Sequence, residues 1–468
     1  MSLISKLQNN KVFKNFSYLT IGNAVSQVLS LVTVLKITHF FTPDDYGLFT
    51  FITTQGLLLL ALSELGIKQI IIRAIARDPE RTSDLIINGS ILRFLSVTGL
   101  TLIYLLYNHF FGTLDAFQVI LVGACAMSHA FWNMLEYAFL GHQKMLFPSL
   151  LKIAYSILWF TSIFILPQAY FSVNNLIYIF ILLNGVQGVG FVFLIKKNNL
   201  LIGPTSNFFK STKAILIESW PYFSVMLVMI PIQSFHNIYL ELNSTVDEIG
   251  FFNLARRLLA PVQMVLDYAL IAAFPSLSAL WISDKKKFYS IISNGFQYFM
   301  LVGLALTFLF TLFVEEIVIL LFSEAYLPSV TVTQMQVWFT FLMAVNRTIS
   351  IVFGAINEEK LLFKLSIINA VISIPMLYYG SQFGAYGLSV GYVLSFAILE
   401  IYLWIIFTKT IHVKIKNDLI MWFLAILLFI VSFFFSELKS IPFKLFLAIL
   451  VLTPISIFLY RQKKVKNE

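Results

Sequence analysis

Apolar segments long enough to cross a bilayer follow one another along the whole chain, and that succession leaves few folds open. In hydrocarbon every backbone N–H and C=O has to be satisfied within the spanning element, and segments of about 20 residues meet that demand as helices. Fourteen such segments are read near 16–40, 46–72, 85–111, 117–140, 149–171, 174–195, 214–242, 250–281, 288–313, 330–356, 361–380, 385–408, 417–436 and 443–460. Only 12% of the 468 residues are charged, against roughly 25% in soluble domains. There is too little polar surface to cover a water-soluble globule. The expected fold class is an all-α polytopic membrane protein of about 14 transmembrane helices.

Loop charges orient the spans. With the N-terminus inside, 25 of the 32 lysines and arginines fall in inside segments, two (Lys439 and Lys444) fall outside, and five lie within spans. That asymmetry is the positive-inside signature, and shifting the count by one span destroys it. Both termini are therefore expected in the cytoplasm, the leading MSLISKLQNNKVFKNF being a lead into the first span and not a cleaved signal. The basic residues are spread over short loops and form no basic face with interleaved aromatics, which argues against nucleic acid as a partner. A single cysteine, Cys125, excludes an internal disulfide framework, and the histidines show no ligand spacing for a metal.

The chain also repeats itself. TPDDYGLF at 42–49 is echoed by TVDEIGFF at 245–252, so that Asp44, Asp45, Gly47 and Phe49 fall on Asp247, Glu248, Gly250 and Phe252. Continued without a gap, the alignment sets Glu64 on Asp267; a second anchor pairs QKMLF at 143–147 with EKLLF at 359–363. Six spans separate the two copies of the acidic turn. Six is even, so the copies share one orientation and form parallel repeats with a substrate path between them. The expected organisation is an N-terminal six-helix bundle over 1–200, a second over 201–410, and an appended helix pair with a basic tail over 411–468.

A polar-striped first span, the outside turn PDDYGLF, a second span ending SELGIKQIIIRAIAR and the paired halves together resemble the polysaccharide-repeat flippases. These belong to the multidrug/oligosaccharidyl-lipid/polysaccharide exporter superfamily. The resemblance implies two bundles around a central cavity, alternating access, and carriage of an undecaprenyl-diphosphate-linked oligosaccharide between the leaflets of a bacterial inner membrane. It also implies surrounding membrane lipid and polysaccharide-assembly proteins as partners.

Such a substrate needs a polar corridor for its diphosphate and sugar, and charge at membrane depth is costly enough that it faces a cavity or a partner. Arginine suits phosphate through its planar pair of donors. On a helix, Asn253, Arg256, Gln263 and Asp267 fall within roughly 80° of one another, while Arg257 lies about 100° from Arg256. Arg256 is the cavity candidate. Asn23, Ser26, Gln27, Ser30 and Thr33 make a stripe on the first span, continued by Lys36, and the repeat sets Ser30 and Thr33 on Gln233 and His236. Arg347 is a second phosphate candidate, against a buried ion pair with a carboxylate such as Glu400. The substrate-facing set is thus Arg256, Lys36, Arg347, Asn23, Gln27, Asn253, Gln263, Gln233 and His236. Glu64 and Asp267 are matched carboxylates that either bind a coupling cation, proton or sodium, or pair with a base such as Lys36 or Arg93. Arg93 and Glu136 are expected to pair between spans three and four. Pro221 and Pro231 mark kinks in span seven, and Gly384, Gly387 and Gly391 permit close helix approach.

No phosphate-binding glycine loop, nucleophile elbow or zinc-ligand helix occurs, so neither direct ATP use nor a cofactor is expected. Two other functions compete with the flippase. A cation-coupled small-molecule antiporter would favour an acidic cavity over the basic one read here. A membrane sugar polymerase would carry a large outside loop that this chain lacks.

Overall fold

Helix follows helix in the computed structural model, which describes residues 11–356, 358–411, 418–436, 438 and 440–467, side chains excepted at 11–17, 19, 265–276, 278, 279, 359, 360, 411, 418, 419 and 455–467. The α-helices are α1 (Lys11–Phe40), α2 (Pro43–Leu62), α3 (Ile67–Arg77), α4 (Thr82–Phe111), α5 (Ala116–Gly141), α6 (Leu146–Ile165), α7 (Val173–Lys197), α8 (Phe208–Gln233), α9 (His236–Asn243), α10 (Val246–Ser283), α11 (Lys285–Leu321), α12 (Ser329–Ala355), α13 (Glu359–Ser381), α14 (Gly384–Ile411), α15 (Asp418–Ser436) and α16 (Ile441–Asn467). Among the described residues eleven helices are long and apolar enough to cross a membrane, and Ile420–Ser436 and Ile441–Pro454 are shorter apolar helices.

Two of the expected spans are broken. The second, read as 46–72, ends at Leu62. There Ser63 Oγ donates to the Leu60 carbonyl at 2.6 Å, and Leu65 and Gly66 turn left-handed at φ 49° and 70°. Gly66 is required twice over. A Cβ there would be strained by its φ and would stand 2.7 Å from the Phe223 nitrogen of α8. The chain then resumes as α3, an amphipathic helix whose Ile67, Ile70, Ile71 and Ile75 are buried. Three of them join Met134, Tyr137 and Phe139 of α5, Phe191 of α7 and Ile215 of α8 in one apolar core. A hydropathy reading merges α2 and α3 because isoleucines that face protein score like those that face lipid.

The seventh span, read as 214–242, breaks at Ser234 and Phe235 into α8 and α9. The short α9 is held by side chains: Asn237 is fully buried and donates to Thr54 of α2, and Glu241 accepts from Thr113.

By packing the chain divides into two compact units, Met1–Gly250 and Phe251–Glu468. In the first, α1 packs on α6, α5 on α2, α4 and α7, and α3 on α5 and α8. One end of the unit is fastened by Asp84, which accepts hydrogen bonds from Asn88, the Ser206 nitrogen, Ser206 Oγ and Ser211 Oγ. In the second, α14 packs on α12 and α13, and α11 on α12, α15 and α16.

The echoed turns have equivalent local structures. Thr42 caps α2 by accepting from the Asp45 nitrogen, and Asp44 and Asp45 stand in its first turn; Asp247 and Glu248 stand in the first turn of α10. Within the first unit Gly47 and Gly250, matched by the repeat, meet at close quarters: a Cβ on either would run into backbone, that of Val246 or Pro43. The same device recurs in the second unit where Gly387 of α14 lies on Gly380 of α13, as the small-residue spacing leads one to expect.

Candidate functional site

In the first unit a connected set of polar and charged side chains runs through α1, the α2–α3 turn, α3, α4, α5 and α6. Its centre is Arg93, only 1% exposed on α4. The guanidinium donates to Tyr137 Oη at 2.9 Å and to the Leu60 carbonyl at 3.3 Å, and lies 3.9 Å from Glu64 Oε2. The one Tyr137 hydroxyl proton has two acceptors in reach, Asn133 Oδ1 at 2.7 Å and Glu64 Oε2 at 3.3 Å. The expected pairing of Arg93 with Glu136 is not made. Helix geometry accounts for this, since Tyr137 and Glu136 are neighbours about 100° apart on α5 and only one can face α4.

Glu136 belongs instead to a second group. It lies within electrostatic reach of Lys68 and Lys152. Lys152 sits six residues into α6, is exposed, and donates to Asn23 of the polar stripe on α1. Close approach of the two helices makes this contact, Gly22 lying against Ser149 so that a Cβ would be 3.1 Å from the serine's own. Lys68 lies 5.9 Å from the centroid of the Tyr137 ring, which joins the two groups. Two carboxylates and three cations thus line one track, leaving a positive excess at the end that the loop charges assign to the cytoplasm.

Other residues of the expected set are placed differently. Gln27 is half-buried on the α1 stripe. Lys36 is half-buried with its ammonium 4.6 Å from the Phe40 ring centroid and 5.8 Å from that of Phe164, an aromatic setting that favours a cation by the ring quadrupole. Gln233 is exposed at the end of α8, whereas His236 is buried at the start of α9, so the break separates two residues that a continuous helix would have kept on one face.

In the second unit Asn253 is buried and Arg256 is exposed on α10, within electrostatic reach of Tyr392 on α14. Gln263 donates to Thr340 of α12 at 3.1 Å, a helix–helix hydrogen bond. Beside it opens an apolar cleft lined by Leu259, Val262, Phe299, Gly303 and Leu306. Arg347 is half-buried and Glu400 is 1% exposed with Asn346 as its polar neighbour, and among the described residues no ion pair joins Arg347 to Glu400. The side chain of Asp267 lies outside the described residues.

Lys152 and Lys68 were not among the expected site residues. Both were counted as loop cations because each lies within a few residues of a span boundary. Lys444, also counted in a loop, is fully buried and donates to Glu316 of α11 at 2.7 Å. Its signal in sequence was a lone glutamate pair, Glu315 and Glu316, near the outer end of an apolar run.

Helices arranged in this way, with charge held inside a polytopic bundle, define a multi-pass membrane protein. Among solved structures the chain is similar to the lipid II flippase MurJ in an inward closed conformation, with TM-score 0.74 and 15% identity over 96% of this chain and 99% of that one. It is also similar to an inward-facing multidrug resistance MATE family transporter of the MOP superfamily, at TM-score 0.64 and 16% identity over 83% and 94%. A MOP superfamily transporter from Pyrococcus furiosus matches at TM-score 0.58 and 17% identity over 87% and 97%. No curated protein matches the chain. Residues 12–281, more than half of the chain, match the polysaccharide biosynthesis protein family, and the chain belongs to that family.

Proposed function

We propose that this protein moves an undecaprenyl-diphosphate-linked oligosaccharide from the cytoplasmic to the outer leaflet of a bacterial inner membrane by alternating access, in the synthesis of a surface polysaccharide of the O-antigen or capsule type. The observation that carries the reading is the exposure of a basic side chain well inside a long apolar helix, Arg256 on α10. A cation facing lipid at such depth costs several kcal/mol on insertion scales. An exposed cation at that depth faces a polar path, and an anion such as a diphosphate suits it as a ligand. Family membership supports a role in polysaccharide synthesis. The apolar cleft beside Gln263 suits an acyl or prenyl tail. Gln27, Asn23, Lys36, Asn253, Gln263, Arg347, Gln233 and His236 remain assigned to the head group on the same reading, with Glu64 and Asp267 as the carboxylates for proton or sodium coupling.

The test is leaflet-resolved accumulation of lipid-linked oligosaccharide in the native host with and without the gene. Build-up on the cytoplasmic side, reversed by the wild-type chain and not by Arg256→Ala or Lys152→Gln at equal membrane abundance, is expected. Arg256→Lys should retain part of the activity. No build-up, with altered sensitivity to cationic compounds, would move the assignment to a small-molecule antiporter.

A further inference from the structure

Between α10 and α11 the chain turns through Ser283 and Asp284 and then sets three lysines in succession, Lys285, Lys286 and Lys287, in the first turn of a helix. A cation is least favoured there, because the positive end of the helix dipole repels it and so do its two neighbours. The first turn of α11 holds no acidic residue. Asp284 is the one carboxylate at the turn, and it is engaged as the cap, its Oδ1 accepting from the Lys287 nitrogen at 2.9 Å. All three lysines are exposed, and no ion pair among the described residues involves them. A local rule broken without compensation inside the chain points to a contact outside it.

The surroundings of the lysines indicate which contact. Lys285 Nζ lies 4.5 Å from the centroid of the Trp281 ring. Trp281 meets Phe288 at 5.1 Å and Tyr289 at 6.3 Å between centroids, and Phe288 is fully buried, so the cluster is anchored to the helix pair. Beside it Ile282 is 86% exposed. Tryptophan and tyrosine settle at the level of lipid head groups. Helix length brings the turn to that level. α10 and α11 have 38 and 37 residues, about 57 and 55 Å at 1.5 Å per residue, against about 40–45 Å for a bilayer with its head-group layers. Their far ends are acidic, at Asp247 and Glu248 and at Glu315 and Glu316, so the joining turn reaches the opposite head-group layer.

We propose that this turn docks on anionic phospholipid, Lys285, Lys286 and Lys287 holding head-group phosphates while Ile282 enters the interface beside Trp281. An acidic protein would match the lysines alone. A lipid surface matches the lysines, the exposed isoleucine and the aromatic pair together. A lysine close to an anionic surface strengthens attachment about fivefold, so three contribute about 100-fold. The proposal is independent of the flippase reading.

The test sets a polarity-sensitive fluorophore on Ile282→Cys in a Cys125→Ala background. The purified full chain is reconstituted in phosphatidylcholine bilayers with rising fractions of phosphatidylglycerol. Expected is a saturable blue shift with protection from acrylamide quenching, reversed by molar salt. Changing all three lysines to glutamine weakens the attachment about 100-fold and should abolish the response; the side chains are exposed, so this variant is expected to fold. Inorganic phosphate added to pure phosphatidylcholine bilayers should not reproduce the shift. Emission indifferent to phosphatidylglycerol in the wild-type chain would overturn the proposal, as would a full response in the folded glutamine variant. An equal shift with inorganic phosphate would overturn it too, leaving a free-anion site in place of a lipid one.

Discussion

Arg93→Met isolates what the buried arginine of α4 contributes. The substitution keeps most of the side-chain volume and removes two hydrogen bonds from a charged donor, to Tyr137 at 2.9 Å and to the Leu60 carbonyl at 3.3 Å. Bonds of that kind contribute about 1.5–3 kcal/mol each, or roughly 3–6 together. Against this stands the relief of a buried Nε that has no partner, about 1–3 kcal/mol. Taking like ends of the two ranges together, the net loss is about 2–3 kcal/mol, which for a unit of this size corresponds to a fall in Tm of roughly 4–12 °C. The partition of that loss is the sharper expectation. Glu64 stands 3.9 Å from the guanidinium, beyond hydrogen-bond reach, and is 23% exposed, so its share is Coulombic and screened. Double-mutant cycles in detergent should give a coupling of about 1.5–3 kcal/mol between Arg93→Met and Tyr137→Phe, and about 1 kcal/mol or less between Arg93→Met and Glu64→Gln. A larger coupling to Glu64 than to Tyr137 would refute the reasoning. It would make Glu64 a structural counter-ion and remove it from the coupling candidates.

Lys444→Met should lower the Tm by several degrees, because it takes the partner from Glu316; the glutamate is 30% exposed, so the loss falls below the about 3–5 kcal/mol of a fully buried pair, and adding Glu316→Gln to Lys444→Met should restore part of it. Gly66→Ala should reduce folded yield in detergent, measured by size-exclusion of a fluorescent fusion, since the residue combines a φ of 70° with a backbone contact at 2.7 Å; the left-handed conformation alone costs roughly 1–2 kcal/mol. A wild-type profile for either variant would contradict the packing described.

The fold class was legible because bilayer-length apolar runs dominate every other signal, and the repeat was legible because its acidic turn and glycine are retained in both copies. Gly47 and Gly250 were matched by spacing, and the structure gives the physical reason for both glycines in their mutual backbone contact. The breaks after Leu62 and Gln233 were not legible. Hydropathy averages over a window and does not separate Ile71 facing Phe139 from an isoleucine facing lipid. The site was half legible. The Asn23 stripe and Arg256 could be read from helical phase, which is a local property. That Lys152 reaches Asn23, and that Tyr137 displaces Glu136 as the partner of Arg93, depend on which helices adjoin, and adjacency has no signature in a single chain.

The pairing of buried Lys444 with half-buried Glu316 has an electrical consequence. A membrane potential acts on net charge, at about 2.3 kcal/mol per elementary charge per 100 mV for passage across the whole field. A lysine standing alone on α16 would be drawn toward the negative interior, and a glutamate alone on α11 driven the other way. Bonded at 2.7 Å, the two form a dipole without net charge, and the helix that carries Lys444 feels almost no force there when the cell polarises. Loss of either partner would leave a single charge on one helix for the potential to act on.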